Sequence, residues 1–260
     1  MLKSKNLKTM FEKSGNPVLG EKAFRGLSLT GDTTQRMTLQ GTMNKTGLLM
    51  LLVLAGAYFT WSSADKGQNV QMYMIGGAIG GFVVALITIF KKEWSAYTAP
   101  AYALLQGLFL GAISAMYNFA FAERMPNIIT NAVGLTVSIG IAMFLLYHFR
   151  VIKVTEKFRS IIFMATAGIA IFYLVVMVAR LFGVQMAFMH DSSPLGIGIS
   201  LFIVGIAALN LLLDFDMIEQ GAAYGAPKYM EWFGGFALLV TLVWLYLEIL
   251  RLLSRFASSK

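Results

Sequence analysis

The sequence predicts an all-α integral membrane protein of about seven transmembrane helices, and three observations predict it. Of its 260 residues, 57% are hydrophobic and 13% charged, and the mean hydropathy of +0.69 lies well outside the range of ordinary soluble domains. Apolar stretches of about 20 residues, the length that crosses the hydrocarbon core, follow one another through nearly everything after residue 42. Those stretches lack the alternating polarity of barrel strands and are too long to be such strands.

Taken in order, the candidate spans are residues 43–61, 72–90, 100–117, 128–149, 161–182, 195–218 and 232–253. The first ends on Trp61, and Trp94 and Trp232 lie near other span ends, where indole rings anchor helices at the membrane interface. The second carries Gly76, Gly77, Gly80 and Gly81, and the third carries Gly107 and Gly111. Small residues four apart let helix backbones approach closely in lipid. The fourth ends near His148, and the fifth leads towards His190 in the next connection. The sixth and seventh bring acidic groups into the apolar runs. The chain therefore divides into a polar, basic N-terminal tail at 1–42, a seven-helix domain at 43–254 and a short C-terminal tail at 255–260.

Charge sets the orientation. Lys3, Lys5, Lys8, Lys13, Lys22, Arg25, Arg36 and Lys45 crowd the tail and its junction with the first span. Lys91 and Lys92 fall in the second connection, and Arg150, Lys153, Lys157 and Arg159 in the fourth, on the same side as the tail. The other connections carry only Lys66, Arg124 and the nearby Arg180. By the positive-inside rule the N-terminus is cytoplasmic and, for seven spans, the C-terminus is outside. Arg251, Arg255 and Lys260 oppose that last step, so six spans are the rival topology. The tail has no apolar run of signal-peptide type, and the first span is expected to serve as its own insertion signal. The formal charge of +8 thus suits a membrane, with no nucleic-acid partner expected.

Several chemistries fall away. Without cysteine there are no disulfides, thiolate nucleophiles, thiolate zinc sites or iron-sulfur clusters. His148 and His190 sit on opposite faces in this topology, so they cannot share one haem or metal. The seventh span lacks the lysine of a retinal protein, and no Gly-x-Ser-Gly run, P-loop or HExxH helix occurs. Neither an enzyme nor a cofactor is expected.

Ionisable groups at the centre of a span cost about 2.5 to 3.5 kcal/mol each on insertion scales, so their presence points to function. Asp214 and Asp216 lie late in the sixth span, in LNLLLDFDMIEQG, and Glu248 lies in the seventh, in VTLVWLYLEILRLL. Asn210, one turn before Asp214, shares its face, whereas Asp216 points nearly opposite. Burial and neighbouring charges displace the titration of such acids, and their oxygens suit hard cations such as Ca²⁺. Arg251 and Arg180 are the candidate charge partners. The plainer alternative has Asp216 and Glu219 marking the cytoplasmic interface and Glu248 neutralised by Arg251 or Arg255.

At these residues the sequence resembles the transmembrane Bax inhibitor motif family, in a bacterial branch with an extended polar N-terminus. The segments that carry the resemblance are NPVLGEKAFRG, MTLQGTMNKTGLLMLLVLAGAYFTW, LDFDMIEQGAAYGAP and LVWLYLEILRLL, of which the last two are the more specific. The resemblance implies six helices around a central seventh and a pH-sensitive leak of Ca²⁺. It also implies a pair of acids as pH sensor, with Asp214 matching the first in DFDMI and Glu248 the second in LYLEI, where many relatives have Asp. On the span boundaries above, the two acids differ in depth by roughly 15 to 20 Å. A direct pair therefore requires a deeper start to the seventh helix, a kink or a re-entrant connection, which Gly221, Gly225 and Pro227 could permit.

The expected function is a proton-sensitive cation leak in a bacterial inner membrane, in which Asp214 and Glu248 attract a passing Ca²⁺ and their protonation alters gating. An alternative is a membrane regulator that binds another membrane protein, such as a quality-control protease, through its basic tail. A proton-coupled transporter is a third reading, for which the sequence names no solute.

Overall fold

A computed structural model describes residues 36–183 and 193–259. The tail cations Lys3, Lys5, Lys8, Lys13, Lys22 and Arg25, the segment at 16–26, His190 and Lys260 lie outside the described residues.

Seven helices long and apolar enough to cross a membrane account for nearly all of the described chain. They are α1 Leu39–Asp65, α2 Gln71–Phe90, α3 Ser95–Phe121, α4 Ile128–His148, α5 Glu156–Leu181, α6 Pro194–Ala223 and α7 Met230–Ser258. A short 3-10 turn, Lys92–Trp94, leads into α3. Each apolar run seen in the sequence is one helix, and all seven, the last included, are long and apolar enough to cross. Helical ends extend past the apolar runs because polar caps continue them: α1 starts at Leu39, before residue 43, because the Thr38 hydroxyl accepts from the Gly41 N–H. Thr155 caps α5 through the Phe158 N–H, and Ser193 caps α6 ahead of Pro194.

The last helix is the central one. Within its most apolar stretch 67% of residues are buried, against 17% for α2, α4 and α5, and it packs on α1, α3, α4 and α6. Phe233, Phe236, Leu245 and Ile249 of α7 fill the core together with Leu211 and Met217 of α6. Tyr102 of α3 meets Phe236 edge to face at 4.8 Å between ring centroids. Helix α2 lies on α3, and α5 lies on α6, so both turn broad apolar faces outward, where Phe82, Phe90, Ile161 and Leu174 are exposed. Exposed apolar surface on this scale requires a lipid surround.

The glycines divide by neighbour. A Cβ on Gly107 would strike the Val53 carbonyl, and one on Gly111 the Ala57 carbonyl, so α1 and α3 touch backbone to backbone. A Cβ on Gly77 would lie 2.6 Å from the Leu105 carbonyl oxygen, whereas the adjacent Gly76 faces open space. Only part of the glycine pattern therefore packs helices.

Between α6 and α7 the chain turns sharply. Gly221 is buried inside an uninterrupted α6, and Gly225, at φ 71°, takes the left-handed conformation just past the helix end. Pro227 sits in the turn that follows. The path that Gly221, Gly225 and Pro227 could have permitted is thus a plain hairpin turn, neither a kink nor a re-entrant loop.

Candidate functional site

Helix α5, from which the sequence reading took only Arg180 as a candidate charge partner, supplies other partners to the acids. Arg159, Thr166 and Tyr173 stand seven residues apart on α5, so two turns separate each from the next and all three share one face. Thr241 and Glu248 have the same spacing on α7. Helix α6 meets these faces at two levels, through Asp216 and through Asn210 and Asp214, and at a third α5 meets α7 directly through Tyr173 and Glu248.

The first level is at the end where α5 begins and α6 finishes. Arg159, 3% exposed despite its charge, binds Asp216 and Glu156, the latter at 2.9 Å. Gln220 donates to the same Asp216 oxygen at 2.7 Å. Burying the guanidinium is tolerable because the carboxylate neutralises it, and removing either member would strand a charge. Asp216 is therefore tied to a cation on the far side of α6 from Asp214, as its spacing implied.

The second level is the most deeply buried. Asp214 and Asn210 are both fully inaccessible. Thr241 of α7 donates to Asp214 at 2.6 Å. The Asn210 amide donates to Thr166 of α5 at 2.8 Å and to the Ile206 carbonyl at 2.8 Å. Its own oxygen is buried with no hydrogen-bond partner, a cost of about 1 to 3 kcal/mol for a desolvated acceptor. The two residues form the stripe expected of i and i+4, but their polar atoms reach different neighbours.

At the third level Glu248, 2% exposed, accepts from Arg251 at 3.0 and 2.9 Å through its two oxygens. Tyr173 donates to it at 2.8 Å and the Trp244 indole at 3.2 Å. Arg251 also binds the Tyr173 hydroxyl and lies over that ring, 5.1 Å from its centroid. The expected partner Arg251 thus holds Glu248, while Arg180, the other expected partner, is exposed at the end of α5. Farther along, Arg255 donates to the Gly196 carbonyl at the start of α6.

Asp214 and Glu248 do not form one pair. Thr241, which holds Asp214, precedes Glu248 by two turns, about 10 Å along the axis of α7. The offset is smaller than the 15 to 20 Å expected because α6 continues to Ala223 and α7 begins at Met230. The two carboxylates therefore belong to successive levels and have separate partners. Among the described residues no three His, Cys, Asp or Glu side chains gather as they would around a resident metal.

Two further acids were missed or undervalued. Glu231, the second residue of α7 and fully inaccessible, accepts from the Thr38 N–H and hydroxyl at 2.9 and 2.8 Å and binds Lys45 and Lys228. The chain entering α1 is thereby fastened to the α6–α7 turn, and the Met37 N–H adds a bond to the Ala226 carbonyl. Its position beside Trp232 was a usable signal, but a carboxylate at a span end reads as interfacial by default. Glu219 accepts from Tyr147 and Arg150. That carboxylate raises Arg150, already a permanent cation, still further above its ordinary range.

The fold and this ladder of buried polar groups define a multi-pass helical membrane protein with an ionisable seam through its core. The family model described as Bax inhibitor 1 like matches residues 16–258. The chain belongs to the Bax inhibitor 1 like family. No curated protein and no solved structure matches the chain.

Proposed function

We propose that the protein is a non-enzymatic, proton-sensitive cation leak with Ca²⁺ as cargo, and that the cation follows the seam between α5, α6 and α7. The observation that carries this reading is the run of buried polar groups from Asp216 through Asp214 and Asn210 to Glu248. Charged and polar groups so far from water are costly, and in lipid they line pathways or proton relays. Buried Leu211, Leu245 and Ile249 fill the space around the seam, so the described state is the closed one. Opening requires these contacts and the Arg251–Glu248 pair to part. Protonation of either Asp214 or Glu248 removes charge that attracts the cation, and protonation of Glu248 also weakens its pair with Arg251, so proton binding and cation passage are coupled through the same oxygens.

The experiment is Ca²⁺ flux into dye-loaded liposomes at a series of pH values. Asp214→Asn and Glu248→Gln each flatten the pH profile if the seam is the path. Unchanged profiles in both variants reject it. The bacterial inner membrane, with the N-terminus cytoplasmic, fits the crowding of Lys and Arg at the α1 end.

A second reading has support of its own. The segment entering α1 is clamped to the central hairpin by Thr38, Lys45 and Glu231, so a partner that grips the basic tail could act on α7 directly. Loss of the cellular phenotype on deleting residues 1–35, with liposome flux intact, would favour a regulator that binds another membrane protein.

A further inference from the structure

A cavity of about 370 Å³ lies between α1 and α4, on the opposite face of α7 from Thr241 and Glu248. Helix α3 and the middle of α7 form its floor, through Leu110, Leu239 and Val243, and its rims carry the exposed Leu54, Tyr58, Val133 and Val137. The polar groups deep in its wall are satisfied internally, since Ser114 and Tyr246 hydrogen-bond each other at 2.6 Å and Thr136 donates to the Ala132 carbonyl, and the polar ends of Tyr58 and Trp61 belong to its outer end. A site of this kind offers nothing to a polar ligand and much to a hydrocarbon.

We propose that this groove binds one acyl chain of a membrane phospholipid. Three features select that occupant. Along α1 the groove runs from Met50 to Trp61, about 16 Å at the helical rise. That is half the hydrocarbon thickness of about 30 Å, the depth of a single leaflet. At roughly 30 Å³ for each water- or methylene-sized group, its volume takes about twelve chain carbons. A helix about 10 Å across could set only side chains into a groove of this size, whereas a single acyl chain lies along its whole length. The Trp61 end also reaches the interface where Lys66 and Arg124, both exposed, follow α1 and precede α4. The chain would wedge α1 from α4 against α7, giving the bilayer a direct contact with the central helix.

The test places the whole protein in phosphatidylglycerol liposomes containing a small fraction of phosphatidylglycerol with a diazirine midway along one acyl chain. After illumination, adducts are mapped by mass spectrometry. Leu239 and Val243, only 3% and 6% exposed, should be labelled as strongly as the lipid-facing Phe82 of α2. Val133→Trp and, separately, Val137→Trp should lower floor labelling several-fold and leave Phe82 unchanged. Unlabelled floor residues, or floor labelling indifferent to both tryptophans, would overturn the proposal. So would a floor labelled in liposomes but shielded in native membranes, which would put a protein segment there instead.

Discussion

At the residue scale, charge is managed by pairing each buried ion with a specific neighbour. Arg251 is the informative case: it is two-thirds buried, its partner Glu248 almost wholly so, and the pair lies on the proposed cation path. The arginine is thus a tethered cation occupying the carboxylate. Arg251→Gln should free Glu248 and raise Ca²⁺ flux at neutral pH above that of the unaltered protein, and adding Glu248→Gln should remove the gain. A fall in flux in the single variant would instead make Arg251 a simple structural clamp. Because one partner remains partly exposed, the stability loss should stay below the 3 to 5 kcal/mol typical of breaking a fully buried pair. Thr241 offers a second test. Thr241→Val keeps the shape but takes a donor from Asp214, and denaturation in detergent should register a loss of about 1 to 3 kcal/mol, with Thr241→Ser nearly neutral.

At the element scale, two neighbouring glycines give a sharp contrast. Gly77 faces the Leu105 backbone and Gly76 faces open space. Gly77→Ala should separate α2 from α3 and destabilise the protein by about 1 to 3 kcal/mol, the cost of overpacking. Gly76→Ala should be neutral or stabilising by up to about 1 kcal/mol, since alanine favours the helix without meeting a neighbour. Thermal unfolding of both variants in the same micelle checks the pair, and equal effects would mean that α2 does not pack on α3 as described. Their identical appearance in the sequence explains why packing glycines could not be sorted there: periodicity shows which residues share a face, not what lies opposite.

At the scale of the whole molecule, seven crossings would put Arg36 and Ser259 on opposite sides of the membrane. The absence of native cysteine makes this easy to measure. In intact cells, an impermeant maleimide should label Ser259→Cys but not Arg36→Cys, and both should react after the membrane is opened. Labelling of neither, or of Arg36→Cys alone, would reverse or fold back the topology. The clamp of Glu231 on Thr38 and Lys45 acts at this scale too, since it joins the first helix to the last and so ties the tail to the bundle's central element.

The membrane class, the seven apolar helices and the acids Asp214, Asp216 and Glu248 follow from the chain alone, because hydrocarbon imposes a length and a polarity on any segment that crosses it. Which partner each acid takes was decided only in three dimensions. Asp214 and Glu248 looked like the halves of one device, yet Thr241 holds the first and Arg251 the second, two turns apart, because an unbroken hairpin fixes the register of α6 against α7. Helix α5 gave no acid inside its span to attract notice. Its Arg159, Thr166 and Tyr173 gained meaning only when folding laid them against α6 and α7, since a hydrogen-bond partner far along the chain leaves no local trace in composition or period.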